Sequence, residues 1–401
     1  MLSTKVWISS ELSSSSSQDS FPRATLADFL GDFVVYRNLE PADGRLRGLK
    51  HIWPEIGLAA YRIPRKAEPE YADAILHFLR QTQALRGVAQ PLKRLLYIGD
   101  TRLLDGTAYR HLRAASGWPG WGFIASEDAA AAPSFQIEGD LYLANRWTAL
   151  TDFLDFVQKQ GIALDEATAA VIDLDKTALG ARGRNHRAVD AARVDGVQRT
   201  VGETLGADFD ETAFRVVYDE LNQPRYHHFT ADNQDVLAYV CLMVAGGVYD
   251  YAKLLEDIGF GRMLGFEQFI KACHEALGQR GQSSAALRSV HTEVYDNFRR
   301  GDPTPFKSFR RQEYLTTIGR MDFLPDDTEL DVLLREEITL TGEVKEAAHW
   351  LQARGVLCFG ISDKPDEASR PTPAQAEEGY PALHRAQMKV VGKAPAPPPS
   401  G

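Results

Sequence analysis

The stretch VIDLDKTALG, residues 171–180, places two carboxylates at the end of an apolar run. Val171 and Ile172 lead into Asp173, and Asp175 follows after a single leucine. An ionised side chain that leaves water is stabilised only by a partner or a metal, so two such groups at a strand end are costly without a purpose. The stretch is therefore either a surface turn or a functional site, and the rest of the sequence has to decide between them.

Four apolar runs of strand length, each ending in polar or glycine residues, indicate the fold class. They and a weaker fifth run lie at residues 94–100, 120–126, 169–175, 355–363 and 387–392. Helical patterns precede or follow most of these runs, and a strand pair or sheet edge is expected around Asp140. Alternating helices and fully apolar strands predict an α/β fold, a Rossmann-like parallel sheet with helices on both faces.

A long helical stretch interrupts this alternation. Between residues 178 and 337 the strand-like runs give way to helical patterns rich in aromatic residues. We interpret it as an all-helical cap domain inserted between two neighbouring strands. The sequence then predicts a flexible N-terminal segment, a first part of the α/β core, the cap, a second part of the core, and a disordered proline-rich tail, at residues 1–25, 26–177, 178–337, 338–392 and 393–401.

Composition restricts the classes of partner and the cellular compartment that we expect. The formal net charge of −10 and the pI of about 5.5 argue against nucleic acid, because phosphate backbones attract basic surfaces. Three widely spaced cysteines predict no disulfide framework and favour a reducing, cytoplasmic compartment. The longest apolar run, residues 236–249, is shorter than the roughly 20 residues of a membrane helix. It predicts a buried helix or a subunit interface, so a homodimer through the cap is one expectation.

Other predicted strand ends carry polar groups that can share a crevice with Asp173 and Asp175. In an open parallel sheet, ligands bind beyond the carboxyl ends of the strands, and period-two geometry sends these two side chains to the same side if the strand continues. Asp100 ends another run, Asp105 follows it, and Ser362 ends a third. Clustered carboxylates repel unless a hard cation such as Mg²⁺ joins them. A carboxylate can then attack phosphorus while a neighbouring carboxylic acid protonates the leaving oxygen.

These motifs are similar to those of the haloacid dehalogenase (HAD) superfamily of phosphotransferases. DLDKT matches the family's first motif, GVLCFGISDKP the second and YIGDTRLLDG the fourth. The third motif is a lysine that opens a helix, for which KAEPEYADAILHFL offers Lys66, with Lys93 and Lys364 as alternatives. The motifs run third, fourth, first, second, so the resemblance implies a circular permutation, which compact domains tolerate because their ends often lie close together.

The resemblance implies a role for each matched position. Asp173 would be the nucleophile that becomes an aspartyl-phosphate, and Asp175 the general acid and then the general base. Thr177 would steady their loop and, with Ser362 and Lys66, bind the transferred phosphoryl group. The residues that would hold Mg²⁺ are Asp173, Asp175, Asp100 and Asp105.

The basic stretch GARGRNH follows the first motif and offers Arg182 and Arg184 to an anionic substrate, with a solvated basic loop as the alternative. The sequence as a whole predicts a phosphoric monoester hydrolase that uses Mg²⁺ and an aspartyl-phosphate on a small phosphorylated substrate. The alternative is a binding or regulatory protein on a HAD-like scaffold, in which catalysis is weak or lost.

Overall fold

The computed structural model describes residues 21–279 and 284–393. The serine run and almost all of the proline-rich tail, for which the sequence predicts flexibility, lie outside these residues. Within them the strands are β1 (Arg23–Ala24), β2 (Val34–Val35), β3 (Arg94–Gly99), β4 (Gly120–Ala125), β5 (Phe135–Glu138), β6 (Leu141–Ala144), β7 (Thr168–Asp173), β8 (Leu340–Thr341), β9 (Leu357–Ile361) and β10 (Met388–Val391).

The helices of the described residues alternate with the strands at first and then follow one another. Those before β7 are α1 (Ala27–Leu30), α2 (Leu49–Ile52), α3 (Pro69–Leu85), α4 (Leu104–Ser116) and α5 (Ala149–Lys159). Those after it are α6 (His186–Leu205), α7 (Glu211–Leu221), α8 (His227–Thr230), α9 (Gln234–Ala245), α10 (Tyr251–Gly259), α11 (Phe266–Gln279), α12 (Ala285–Arg299), α13 (Lys307–Ile318), α14 (Leu330–Glu336), α15 (Gly342–Gln352) and α16 (Pro373–Glu377).

The main sheet has seven strands in the order β2-β9-β7-β3-β4-β6-β5. All neighbours are parallel except β5 and β6, which form the antiparallel pair expected around Asp140. The predicted α/β class with a mostly parallel sheet is therefore confirmed. Strand β7 lies between β3 and β9, so the three strands whose ends carry the predicted site are direct neighbours.

Alternation along the central strands explains why the sheet is covered on both faces. In β3, Leu96 and Ile98 join a buried cluster that includes residues of α5 and α15, whereas Leu95 and Tyr97 join a cluster that includes residues of α3 and α4. Each such buried aliphatic side chain contributes roughly 1.5–3 kcal/mol relative to exposure. Strand β7 is buried along its whole length, which places Asp173 at the end of an apolar element.

Two elements differ from the expectations at the ends of the chain. The run at residues 387–392 does form a strand, β10, but it pairs with β1 and β8 in a separate three-stranded sheet. Strand β1 lies inside the segment predicted to be flexible up to residue 25. There, Arg23 pairs with Lys389, and its guanidinium binds Asp322 at 2.8 Å. Edge strand β2 was not predicted, since two valines are too short a run to be recognised.

Residues 186–336, which we call the helical segment, contain only helices and connecting turns in their described part. They have a hydrophobic cluster of their own, which runs from Val197 to Phe309. Helix α9 within it is almost wholly buried, as one of the two interpretations of residues 236–249 required. None of the helices in the described residues has both the length and the apolar character that crossing a membrane requires.

Candidate active site

Three aspartates from two neighbouring strand ends meet at one edge of the sheet. Asp173 is the last residue of β7, Asp100 follows β3, and Asp105 lies in the first turn of α4. All three are buried, and one carboxylate oxygen from each lies within 4.8 Å of the others. The predicted convergence of strand ends thus brings these three residues together, and we call them the carboxylate cluster.

Lys66 bridges two members of the carboxylate cluster. Its Nζ donates to Oδ1 of Asp105 and to Oδ1 of Asp173, both at 2.5 Å, and its side chain is buried. The two alternative lysines do not reach these oxygens. Lys93 is exposed at the start of β3, at the opposite edge of the sheet, and Lys364 donates to Glu313. Of the three candidate lysines, Lys66 is therefore the one whose ammonium contacts the carboxylate cluster.

Asp105 is held by more hydrogen bonds than any other member of the cluster. Besides Lys66, its oxygens accept from the Tyr97 hydroxyl, the backbone N–H of Asp100, and the N–H and hydroxyl of Thr101, at 2.7–3.1 Å. Gly99 makes this possible, because a Cβ there would lie 2.6 Å from Cγ of Asp105. With its lone pairs occupied, Asp105 orients Lys66 and the β3–α4 loop, and it leaves Asp100 and Asp173 with the oxygens that are available to a cation.

The two arginines predicted to contact substrate have different places. Arg182 forms an ion pair with Asp100 and lines the cavity beside the cluster. Arg184 does not line that cavity. Its guanidinium is paired with Glu127 at 2.6 Å and with Glu343 at 2.8 Å. The structure therefore does not bring Arg184 to the cavity where a substrate contact was predicted, because its donors are bound between two carboxylates.

The backbone turns directly after β7 instead of continuing as a strand. Lys176 has a φ of +66°, in the left-handed region that is uncommon for non-glycine residues. Asp175 nevertheless lines the same cavity as Asp173. Its Oδ1 is buried and has no hydrogen-bond partner among the described residues, while Arg193 Nη2 lies 3.7 Å from its Oδ2. The continued strand on which the alignment of the two side chains depended is therefore absent here, but both carboxyls reach one space.

Thr177 and Ser362 are buried next to the site, without lining the cavity. The carbonyl of Thr177 accepts from the Thr341 hydroxyl at 2.6 Å, which fixes the loop after β7 to β8. The hydroxyl of Ser362 accepts from the backbone N–H of Lys364 at 3.0 Å. The loop-steadying role proposed for Thr177 suits this geometry, whereas neither hydroxyl is among the groups that line the cavity.

The cavity at this edge has a volume of about 620 Å³ and is lined mainly by charged groups. The acidic ones are Asp100, Asp105, Asp173, Asp175, Asp232, Glu313 and Asp363. The basic ones are Arg37, Arg65, Lys66, Lys176, Arg182, Arg193, Arg310 and Lys364. Such a volume holds a small ligand, and this lining favours an ionic one.

A second group of buried charges lies where the helical segment meets this cavity. Glu313 of α13 accepts from Arg310 at 2.6 Å, from Lys364 at 2.8 Å and from Arg193 of α6 at 3.2 Å. We call these four residues the Glu313 cluster. Sequence reasoning missed it, because nothing in a linear pattern pairs residues that are 51 and 120 positions apart.

Burial and charge shift the acidities of the carboxylate cluster in opposite directions. Burial raises the pKa of Asp100 to about 7, an effect that Asp105 reinforces and Arg182 opposes. Burial also raises the pKa of Asp173 well above its ordinary value, against the effect of Lys66. For Asp105, burial acts to raise the pKa, but the charge and hydrogen bond of Lys66, together with the hydrogen bonds from Asp100 and Thr101, outweigh it and lower the pKa. Asp100 and Asp173 are thus the carboxylates whose repulsion a cation would relieve.

The donor set fits a hard divalent cation. It consists of carboxylate oxygens, the ligands that Mg²⁺ prefers, and two of the three carboxylates retain oxygens that hydrogen bonds do not saturate. The Asp175 side chain is not part of this cluster. Asp100 and Asp173 are therefore the side chains that could hold the ion directly.

Comparisons with protein-family models, with curated proteins and with solved structures found no match to this chain. The resemblance to the HAD superfamily therefore stays a prediction from the sequence motifs.

Proposed function

We propose that this protein is a Mg²⁺-dependent phosphatase that hydrolyses a small phosphate monoester through an aspartyl-phosphate on Asp173. One observation supports this above the others: Lys66 bridges Asp173 and Asp105 within three buried carboxylates at neighbouring parallel strand ends. A cavity with clustered acids whose pKa values are perturbed is a candidate functional site, and phosphoryl transfer needs this combination of nucleophile and fixed positive charge.

The first half-reaction would transfer the phosphoryl group to the protein. An oxygen of Asp173 attacks phosphorus, the bond between phosphorus and the ester oxygen breaks, and the protonated carboxyl of Asp175 gives its proton to the departing oxygen. Oδ1 of Asp175 suits this role, because no other described group holds it. Lys66 neutralises charge on Asp173 and on the incoming phosphoryl oxygens.

The second half-reaction would release phosphate. Asp175, now a carboxylate, takes a proton from a water molecule whose oxygen attacks phosphorus, and the bond to Asp173 breaks. The products are inorganic phosphate and the original pair of side chains. Bound Mg²⁺ would supply further charge neutralisation of the phosphoryl oxygens, held by Asp100 and Asp173.

Substituting the two aspartates of the first motif separately tests this proposal. The native protein should hydrolyse an aryl phosphate with Mg²⁺ and lose that activity in EDTA. Asp173→Asn should lower turnover by at least about 10³-fold, as loss of a nucleophile does in other enzymes. Asp175→Asn should retain attack on an aryl phosphate but stall afterwards, so that mass spectrometry detects a phosphoryl group on Asp173.

Asp152→Asn is the matched control, because it makes the same change on an exposed residue of α5. It should behave as the native protein does. If the native protein hydrolyses no phosphate ester, or if both first-motif variants keep its full turnover, the phosphatase proposal fails and a binding or regulatory role replaces it.

A further inference from the structure

Arg37 differs from the other basic side chains of the cavity. It follows edge strand β2, and its backbone N–H donates to the carbonyl of Lys364, which fixes it beside the end of β9. Its side chain is only 11% exposed, yet its ion pair is long: Nε and Nη2 both lie 3.4 Å from the carboxylate of Asp363, which is 37% exposed. These distances exceed the usual 2.7–3.2 Å or so of an N–H···O bond. Nη1 is buried and has no hydrogen-bond partner among the described residues.

Most of the remaining cations in the lining each have a closer anionic partner. They are Lys66, Lys176, Arg182, Arg193, Arg310 and Lys364. Arg65 is exposed and forms no ion pair with any described residue. A nearly buried guanidinium with weak pairing is costly, and an anionic oxygen from a ligand is the partner that would satisfy it.

The apolar part of the lining restricts the ligand further. Among the described residues that line the cavity, the apolar ones are Ala67, Leu104, Ala231 and Pro365, and none is aromatic. A nucleobase or an aryl ring would therefore find no aromatic side chain to stack on. The cavity volume of about 620 Å³ leaves room for a substrate body beyond the phosphoryl group at the carboxylate cluster.

We infer that the substrate is a small phosphate monoester with an aliphatic or polyol body and a second anionic group, a carboxylate or a second phosphate, which Arg37 binds and Arg65 attracts. This inference deepens the proposed phosphatase function and rests on it. Arg37 lies on the β2 side of the cavity, so the second anion would bind there while the first phosphate meets Asp173.

Matched pairs of compounds test the inference. 3-Phosphoglycerate and glycerol 3-phosphate differ by a carboxylate in place of a hydroxymethyl group, and fructose 1,6-bisphosphate differs from fructose 6-phosphate by one phosphate. The first pair probes a carboxylate as the second anion, and the second pair probes a phosphate. In at least one pair, the member with two anionic groups, which we call the doubly anionic member, should have a kcat/KM at least about 10-fold higher. A charge-assisted hydrogen bond supplies a free energy of this size. Adenosine monophosphate should be poorer than that member.

Three variants assign the preference to Arg37. Arg37→Gln should bring the ratio within the pair close to one. Asp363→Asn keeps the arginine and removes its competitor, so the ratio should rise. Arg80→Gln makes the same charge change on an exposed residue of α3 and should leave the ratio as in the native protein.

Calorimetry on the Asp173→Asn variant separates binding from turnover. It should bind the doubly anionic member of the pair more tightly than its partner. If that binding preference is present while the native protein hydrolyses nothing, the phosphatase proposal fails and the anion site stands. If the native protein hydrolyses an aryl phosphate but neither pair shows a preference in kcat/KM or in binding, the inference is overturned. It is also overturned if Arg37→Gln keeps the native ratio.

Discussion

Two groups of charged side chains border the same cavity, and they differ in their ratio of acidic to basic residues. The carboxylate cluster has three acids with Lys66 and Arg182, so one negative charge has no counterpart. The Glu313 cluster has one acid among three cations, of which Arg310 also pairs with the buried Asp235. Burial raises the pKa of Asp100, whereas the three cationic partners of Glu313 outweigh burial and lower its pKa well below the ordinary value.

The difference indicates two separate tasks. Glu313 is fully satisfied and joins α13 to α6 and to the loop after β9, so its cluster holds the helical segment against the sheet. A close approach supports this, since a Cβ at Gly196 of α6 would lie 2.8 Å from Cα of Glu313. The carboxylate cluster stores repulsion that a bound cation would remove. We infer that one cluster stabilises the fold and propose that the other binds a ligand.

The largest expected effect is on the Glu313 cluster. Glu313→Gln should lower the free energy of unfolding by about 3–5 kcal/mol, because the buried Lys364 loses its carboxylate partner and Arg310 and Arg193 each lose one of theirs. Denaturant unfolding followed by circular dichroism measures this. Glu275→Gln makes the same change on an exposed helical residue and should cost less than about 0.5 kcal/mol. A loss below about 1 kcal/mol for Glu313→Gln would remove the structural half of the comparison.

Removing a charge from the carboxylate cluster should change the free energy of unfolding in the opposite direction. The pKa of Asp100 is raised to about 7 in the folded protein. The stability that this residue contributes is therefore fully present below its unfolded pKa, near pH 4, and is lost as the pH rises through about 7. Without metal, Asp100→Asn should stabilise the protein at pH 8 by about 1–4 kcal/mol and change little at pH 4.

Unfolding in EDTA at several pH values, with Asp152→Asn as the control, checks this second prediction. The informative quantity is the difference between variant and native protein at each pH, because other groups titrate in both. If Asp100→Asn destabilises the protein at pH 8 as strongly as Glu313→Gln does, the two clusters are alike and the comparison fails.

The smallest expected effect is that of substituting Arg182 on the affinity for Mg²⁺. Because its guanidinium already neutralises Asp100, an incoming Mg²⁺ has to compete with it. Arg182→Gln should therefore tighten Mg²⁺ binding several-fold in calorimetry, up to about 10-fold. Arg187→Gln removes the same charge from a nearby exposed position and should change the affinity less. Weaker Mg²⁺ binding by Arg182→Gln would mean that the arginine supports the cation site.

The parts of the fold that long apolar runs encode could be predicted from the sequence. Strands β3, β7 and β9 are such runs, and their order placed Asp100 beside Asp173. Strand β2 was missed, because its two residues gain their role only by pairing with β9. The strand at residues 388–391 was recognised, but a run of four residues does not reveal which sheet it joins.

The candidate site was predictable where one residue type at a fixed spacing carries the chemistry. The site was not predictable where the role of a residue depends on the direction of its side chain or on pairing with a residue far along the chain. Arg182 and Arg184 lie two positions apart on one loop, yet only Arg182 points into the cavity. Arg37 and Glu313 acquire their environments from residues far along the chain, so no local pattern marks them.

Gly99 shows that a site includes residues with no reactive atom. A single added carbon at this position would meet the Asp105 side chain, which orients Lys66 and, through it, Asp173. The absence of a side chain at the end of β3 thus sets how closely α4 can approach the sheet. Variation at residue 99 is limited by the geometry of its neighbours, so the position belongs to the site as a spacer, although it carries no charge, donor or nucleophile of its own.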